Sequence, residues 1–212
     1  MIQLLDDQSC ARCPALVASR SQIVHGYGDP SARIVFIGEA PGRHGADRTG
    51  VPFSGDKSGR ALQRILIELK LMDAQMPVEA PQLRCFVTNV VRCCPPANRT
   101  PTLREQTSCA PFLAAELDMI NPQIIVPIGL PALRAVARRY LEEIPCAIRP
   151  LHAIPIHVAS RVIVPLIHPS RISRAQIKAF VVAMQQVIEL RQRKHIGRAE
   201  PQRPGAVITQ RP

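Results

Sequence analysis

Four short motifs with polar or flexible residues each follow an apolar, β-branched run of the chain. The motifs are Gly38–Gly42, Thr88–Asn89, Ile128–Gly129 and His168–Ser170. In open parallel α/β sheets, ligands bind in the crevice beyond the carboxyl ends of the strands. If each apolar run is a strand of one sheet, a glycine-rich loop, an amide and an imidazole meet in a single pocket. The sequence therefore predicts a binding or catalytic site at that edge.

Four of the seven cysteines have the spacing of a metal or cluster site. Cys10 and Cys13 form a C-x-x-C clamp of the kind used by zinc sites and iron–sulfur clusters. Cys93 and Cys109 bracket a proline-rich loop and the first turns of a predicted helix. Four thiolates suffice for a [4Fe–4S] cluster, which we expect, with zinc or ordinary buried thiols as the alternatives. Cys94 is adjacent to Cys93 and could replace it as a ligand.

The charge of the chain indicates its partner class. The 212 residues carry a formal net charge of +11, which favours a polyanionic partner, with DNA or RNA first. No stretch approaches the roughly 20 uninterrupted apolar residues of a membrane span. The first seven residues are acidic and lack the basic start of a signal peptide. We expect a cytoplasmic protein that acts as a monomer and does not bind a membrane.

The order of predicted elements is that of a three-layer α/β/α fold. Strands are expected at 33–37, 84–89, 123–128 and 162–167, and helices at about 59–71, 102–119, 131–140 and 173–194. This alternation implies a central, four-stranded parallel sheet with helices on both faces. A short strand near 154–158 and a capping box from Thr102 to Glu105 are also predicted. Residues 1–194 are predicted to form one domain that includes the N-terminal cysteine segment, followed by a basic, disordered tail at 195–212.

Taken together, these blocks resemble the iron–sulfur uracil-DNA glycosylases of bacteria and archaea, families 4 and 5. The resemblance covers roughly residues 10–173 and is carried by the Cys10/Cys13 clamp, 38–59, 88–109 and 168–170. The Gly-Glu-Ala-Pro-Gly motif at 38–42 has the family 4 form, whereas 44–50 and 54–59 are similar to family 5. The resemblance implies the uracil-DNA glycosylase-like fold and a structural [4Fe–4S] cluster on Cys10, Cys13, Cys93 and Cys109.

The resemblance also implies an activity and roles for the motif residues. The activity is removal of uracil, or of another deaminated base such as hypoxanthine, from DNA in base excision repair. Asn89 matches the uracil edge at O4 and N3–H, Phe53 stacks on the flipped base, and His168 stabilises negative charge that develops on O2. Asp47 is favoured over Glu39 as the acid that positions water and stabilises the sugar cation. The other predicted base contacts are Gly38, Ala40 and Gly42.

Basic residues near the mouth of the pocket are expected to contact phosphates. They are Arg43, Arg48, Lys57, Arg92, Arg99, Arg171 and Arg174. No lysine stands out in the pocket motifs as a Schiff-base nucleophile, so we expect a monofunctional glycosylase without strand cleavage. The alternative is an iron–sulfur protein that binds damaged DNA without catalysis. A nucleotide hydrolase is disfavoured because the Gly-Lys-Ser/Thr phosphate-binding signature is missing.

Overall fold

A central sheet of six strands organises the protein. The computed structural model describes residues 9–73 and 81–196. The strands lie in the order β1-β3-β2-β4-β6-β5. They are β1 Tyr27–Gly28, β2 Ile34–Gly38, β3 Phe86–Asn89, β4 Ile124–Pro127, β5 Ile156–Val158 and β6 Arg161–Ile163. The four inner strands are parallel, as predicted, whereas β1 and β5 pair antiparallel at the two edges.

The sheet is thus larger than the four strands expected. At one edge β5 and β6 form a hairpin that turns at Ala159, whose φ is 48°, and β5 corresponds to the short strand predicted near 154–158. At the other edge β1 has only two residues, too few to show an alternating pattern. The predicted fourth strand is shortened because Pro165 has no N–H to donate. The amides of Val164 and Leu166 still bond to carbonyls of β4 at 2.9 Å.

Six helices cover the sheet in the described part of the chain. They are α1 Pro14–Ser19, α2 Ala46–Thr49, α3 Lys57–Glu68, α4 Leu103–Ile120, α5 Leu130–Tyr140 and α6 Arg174–Ile196. The four long predicted helices are confirmed, and the short α1 and α2 were not predicted. Two residues of the predicted tail, 195 and 196, belong to α6, and the rest of that tail lies outside the described residues.

The alternation of side chains along β2 divides the interior into two apolar layers. Ile34 and Phe36 pack with residues of α3 and α6 on one face of the sheet. Val35 and Ile37 pack with residues of α4 and α5 on the other. The predicted α/β/α layering is therefore confirmed. In the part of the chain that the structure describes, no helix combines the length and apolar character needed to cross a membrane.

The predicted capping box begins α4 and fixes the end of the proline-rich loop. The Thr102 hydroxyl accepts from the Glu105 amide at 3.2 Å, and the Glu105 carboxylate accepts from the Thr102 amide at 2.7 Å. Arg99 adds two hydrogen bonds to the same carboxylate, at 2.8 and 2.7 Å. The Arg99 guanidinium and then the Thr102 bonds lower the pKa of Glu105 from 4.5 to about 2.

This depressed pKa predicts an acid-sensitive contribution to stability. Because folding lowers the pKa of Glu105, the contribution is fully present above pH 4.5 and is lost as the pH falls toward 2. We expect Glu105→Gln to lower the free energy of unfolding at pH 7 by about 1–2 kcal/mol, since the partly exposed Arg99 is screened by solvent. The loss should shrink as the pH approaches 3. Urea unfolding at both pH values measures it, with the exposed Glu142→Gln as the matched control; an equal loss at both pH values would contradict the assignment.

Candidate active site and cysteine site

A cleft of about 610 Å³ opens at the carboxyl ends of the parallel strands. Its lining includes Glu39 after β2, Asn89 at the end of β3, Gly129 after β4 and His168 beyond β6. Gly38 and Asn89 are direct register partners across β2 and β3, so the loop and the amide are neighbours by strand pairing. The structure therefore brings together the four motifs that the sequence placed at strand ends.

Gly38 is required for the close approach of two lining side chains. A Cβ built on Gly38 would lie 2.4 Å from Asn89 Oδ1 and 2.6 Å from the Phe53 ring, closer than real Cβ atoms come. Phe53 itself has a φ of 53°, an uncommon backbone conformation for an aromatic residue. Ala40 and Gly42 also line the cleft. The backbone is thus shaped to bring the aromatic ring and the amide to one place.

The imidazole of His168 is held as a neutral hydrogen-bond donor. Its Nδ1 accepts from the Ser170 amide at 3.3 Å and lies 2.8 Å from the Ser170 hydroxyl. An Nδ1 that accepts from an amide carries no hydrogen, so in the neutral ring the hydrogen is on Nε2. Burial lowers the pKa of His168, Arg171 acts in the same direction and Asp56 opposes them. The ring therefore offers an Nε2–H donor at neutral pH.

The two acidic candidates occupy different environments. Glu39 lines the cleft. Asp47, expected to be the main acid, is fully buried and is not among the lining residues. Its Oδ1 accepts from the Ser21 amide at 2.9 Å and its Oδ2 from the Ser21 hydroxyl at 2.8 Å. Both carboxylate oxygens are thus bonded to the N-terminal segment, a contact between residues 26 positions apart that no sequence pattern predicted.

Most of the expected basic residues surround the cleft. Those that line it are Arg43, Lys57, Arg99 and Arg171. Arg48 and Arg174 are outside its lining. Placing Arg92 at the mouth was wrong, because its side chain is 4% exposed and pairs with Glu116 at 2.7 Å.

The polar lining residues that were not predicted include His44, Asp56, Asn98 and Arg149. Asp56 caps α3 by accepting from the Gly59 amide at 2.7 Å, so an N-cap pattern could have found it. Asn98 accepts from the Arg43 amide at 2.8 Å, a long-range contact without a local signal. Arg149 begins a 3-10 turn, Arg149–Leu151, within the segment expected to be irregular.

The four expected cysteine ligands lie around one small cavity. Cys10, Cys13, Cys93 and Cys109 all line it, together with apolar and basic side chains. Cys94 is directed elsewhere, with its sulfur 3.7 Å from Asn98 Oδ1. The structure therefore groups Cys93, rather than Cys94, with the other three. Among the residues that the structure describes, no set of three or more His, Cys, Asp or Glu side chains is placed to hold a single metal ion; the four cysteines are instead spread around the cavity.

Two of these sulfurs accept hydrogen bonds of the kind that stabilise a thiolate. Arg20 donates to Cys93 Sγ at 3.2 Å, and the Arg92 amide donates to Cys109 Sγ at 3.4 Å. Burial raises the pKa of both thiols, that of Cys109 to about 11, and these donors oppose the rise. Cluster iron binds thiolates, and hydrogen bonds to sulfur stabilise that form. The donor set fits an iron–sulfur cluster in ligand type and number.

Comparison with known proteins shows which family the chain resembles. Residues 25–190 match the family described as the uracil DNA glycosylase superfamily. The chain is 35% identical to the type-4 uracil-DNA glycosylase of Thermotoga maritima over 79% of each chain. It is 36% identical to the type-5 enzyme of Pyrobaculum aerophilum over 61% of this chain and 66% of that one. It is also 41% identical to the type-4 enzyme of Sulfurisphaera tokodaii, over 57% of this chain and 50% of that one.

The electrostatics of His168 can be tested without a substrate. We expect its imidazole to titrate below the ordinary value of 6.5 because it is buried. Asp56→Asn, which preserves a side chain able to cap α3, should lower the pKa further by removing a negative charge. Arg171→Gln should raise it. NMR titration of ¹⁵N-labelled histidine rings, with His168→Gln to identify the resonance, measures all three; a rise in the Asp56→Asn variant would contradict the assignment.

Proposed function

The chain belongs to the uracil DNA glycosylase superfamily, and from that premise we propose that it removes uracil from DNA by hydrolysing the N-glycosidic bond. The observation that carries the proposal is the convergence of Glu39, Asn89 and His168 in one cleft bordered by cationic side chains. The relatives described above are named as glycosylases. The alternative of a non-catalytic damage-binding protein is therefore not supported.

Base recognition uses Phe53 and Asn89. A glycosylase reaches its target by flipping the nucleotide out of the stack into a shaped pocket. The Phe53 ring offers a face for stacking, and the Asn89 amide offers one donor group and one acceptor. That pair matches the O4 acceptor and the N3–H donor of uracil. Because Gly38 has no side chain, the Phe53 ring and the Asn89 amide can lie close together in the cleft.

Departure of the base is assisted by His168. As the C1′–N1 bond breaks, the electron pair leaves with uracil and negative charge develops on its O2. The neutral imidazole donates its Nε2–H to that oxygen. Because Nδ1 is fixed by Ser170, the donor is oriented before the charge appears. Removing one such preorganised donor typically costs about 10²–10³-fold in rate.

Water addition is assigned to Glu39. The water oxygen bonds to C1′ of the cationic sugar, and its proton passes to the Glu39 carboxylate or to solvent. The same negative charge stabilises the oxocarbenium-like sugar. Asp47 has no oxygen left without a protein partner, so we assign it to holding the loop rather than to the reaction.

DNA is held through its phosphates by the basic border of the cleft. Lys57 and Arg171 line the cleft. Arg43 also lines it, although its Nη2 bonds to the Ser19 carbonyl at 2.8 Å and so also anchors the N-terminal segment. We retain Arg48 and Arg174 as contacts beyond the cleft. The enzyme acts as a monomer whose glycosylase domain spans residues 1–194, and its binding weakens as salt increases.

The cysteine site is proposed to hold a [4Fe–4S] cluster on Cys10, Cys13, Cys93 and Cys109. When bound, such a cluster supplies a covalent cross-link between the N-terminal segment and the proline-rich loop; base hydrolysis needs no electron transfer. Free thiols in this number suit a reducing compartment, and we propose the cytoplasm.

The activity and its acid are tested with matched variants. We expect the wild type to release free uracil from DNA oligonucleotides, leaving abasic sites that break only after alkali. Glu39→Gln should lower the single-turnover rate by about 10²–10³-fold, because it removes the charge that stabilises the transition state. Asp47→Asn should keep the rate within about tenfold while lowering thermal stability, because it weakens the Ser21 bonds.

A parallel assay with hypoxanthine defines the range of bases removed. If Asp47→Asn abolished the chemical step while Glu39→Gln did not, the acid would be Asp47. Release of neither base by protein that binds these DNAs would overturn the proposed function.

The cluster is tested at the adjacent pair of cysteines. Cys93→Ser should lose most of the iron, sulfide and visible absorption of the purified protein, because a thiolate ligand is removed. Cys94→Ser is the matched control and should retain all three. Anaerobic iron and sulfide analysis measures them. Equal metal loss in both variants, or stoichiometric zinc in the wild type, would contradict the assignment.

A further inference from the structure

We propose that His152 is a positioning residue that holds both ends of the loop carrying His168. This loop, residues 168–173, connects the strand β6 region to α6. The inference rests on the proposed function, because the catalytic role of His168 was assigned there. His152 lies 16 positions earlier, in a segment between α5 and β5, and it is not among the residues that line the cleft.

One imidazole contacts the chain on both sides of the His168 loop. Before the loop, the Ile167 amide donates to His152 Nδ1 at 3.3 Å. After the loop, His152 Nε2 lies 3.0 Å from the Gln176 carbonyl in the first turn of α6. Since Nδ1 accepts, the neutral ring carries its hydrogen on Nε2 and donates it to Gln176. The neutral ring satisfies both contacts at once.

The contact with Ile167 continues the backbone pairing where the sheet ends. The preceding Leu166 is tied to β4 through two bonds, to the Pro127 carbonyl and from the Gly129 amide, at 2.9 and 2.8 Å. Ile167 is 5% exposed, and its amide has the His152 ring as its acceptor. At Ile167, immediately before His168, the His152 ring therefore supplies the hydrogen-bond acceptor that a neighbouring strand would otherwise provide.

The ring is itself held in place. It stacks on Phe180 of α6, with ring centroids 6.2 Å apart and planes 15° from parallel. Phe180 is fully buried. The neighbouring Ala153 amide bonds to the Pro165 carbonyl at 2.9 Å. The imidazole thus lies between rigid elements, and a rigid support is what a catalytic loop needs.

The far end of the loop is fixed by the residue that His152 contacts. The Gln176 side chain accepts from the Ser173 amide at 3.0 Å, and the Gln176 amide donates to the Ser173 hydroxyl at 3.2 Å. Loss of His152 would therefore release Ile167 and weaken the anchor at Gln176. A displacement of about 1 Å at a reacting group can cost about 10²-fold in rate.

Two substitutions separate the hydrogen bonds from the ring stacking. His152→Phe preserves an aromatic ring for Phe180 but removes both hydrogen bonds. His152→Asn places an amide oxygen near the Nδ1 position, where it can accept from Ile167. His157→Phe, at an exposed histidine of β5, is the matched control. All are compared as folded protein, with the active fraction measured by titration.

The expected signature is a loss of rate without a loss of binding. His152→Phe should lower the single-turnover rate of uracil release by about 10–100-fold, because His168 is no longer held in register. KM for DNA should change by less than about threefold, since the basic border is intact. His152→Asn should recover most of the rate, and His157→Phe should match the wild type.

A double-mutant cycle tests whether the effect acts through His168. In a His168→Gln background, His152→Phe should cost less than about threefold, because the group that it positions is absent. If the two losses multiplied instead, His152 would have a purely structural role and the inference would fail.

A readout independent of activity keeps this test separate from the proposed function. Hydrogen exchange measured by mass spectrometry should show faster exchange at residues 166–173 in His152→Phe than in the wild type and His157→Phe. If the wild type released no base but this exchange change occurred, the proposed function would fail and the anchoring role would stand. Unchanged exchange together with an unchanged rate would overturn the inference.

Discussion

The carboxylate of Glu116 is buried at 3% exposure on α4, and it contacts segments that build both sites. It accepts from Arg92 Nη2 and from the Thr88 hydroxyl, at 2.7 and 2.6 Å. Thr88 immediately precedes Asn89 in the cleft, and Arg92 immediately precedes Cys93 in the cysteine site. Removing one partner of a buried ion pair costs about 3–5 kcal/mol, because the other charge is left uncompensated. The positions of the Asn89 amide in the cleft and of Cys93 in the cysteine site thus depend on the same carboxylate.

In the cleft, charged side chains and hydrogen-bond donors have different roles. Cationic side chains at its border suit the DNA backbone, and Arg171 also disfavours a positive charge on His168. A neutral imidazole can still stabilise an anionic leaving group, provided that its donor is aimed in advance. In both His152 and His168, Nδ1 accepts from a backbone amide, so the hydrogen is on Nε2. In each ring, a backbone amide rather than a carboxylate determines that Nε2 is the donor.

The residues predicted correctly to line the cleft are those whose position follows from local patterns. Asn89 and His168 follow β-branched runs, and the carboxyl ends of parallel strands lie at one edge of a sheet. The burial of Asp47 and Arg92 was not predicted, because it depends on Ser21 and Glu116, which are distant in the chain. A local pattern cannot reveal that a charged side chain has a buried partner. The edge strands were incompletely predicted for a different reason, since two or three residues are too few to show periodicity.

The N-terminal segment connects the cysteine site to the loop that lines the cleft. After the Cys10/Cys13 clamp, Ser19 accepts from the Arg43 guanidinium and Ser21 binds both oxygens of Asp47. Those contacts hold the loop that follows Glu39. A short α1 has little intrinsic stability, because helices of this length do not persist alone. The segment must therefore be held by its packing and by the cysteine site, and any loosening at the cysteines would be transmitted through Ser19 and Ser21 to the loop that lines the cleft.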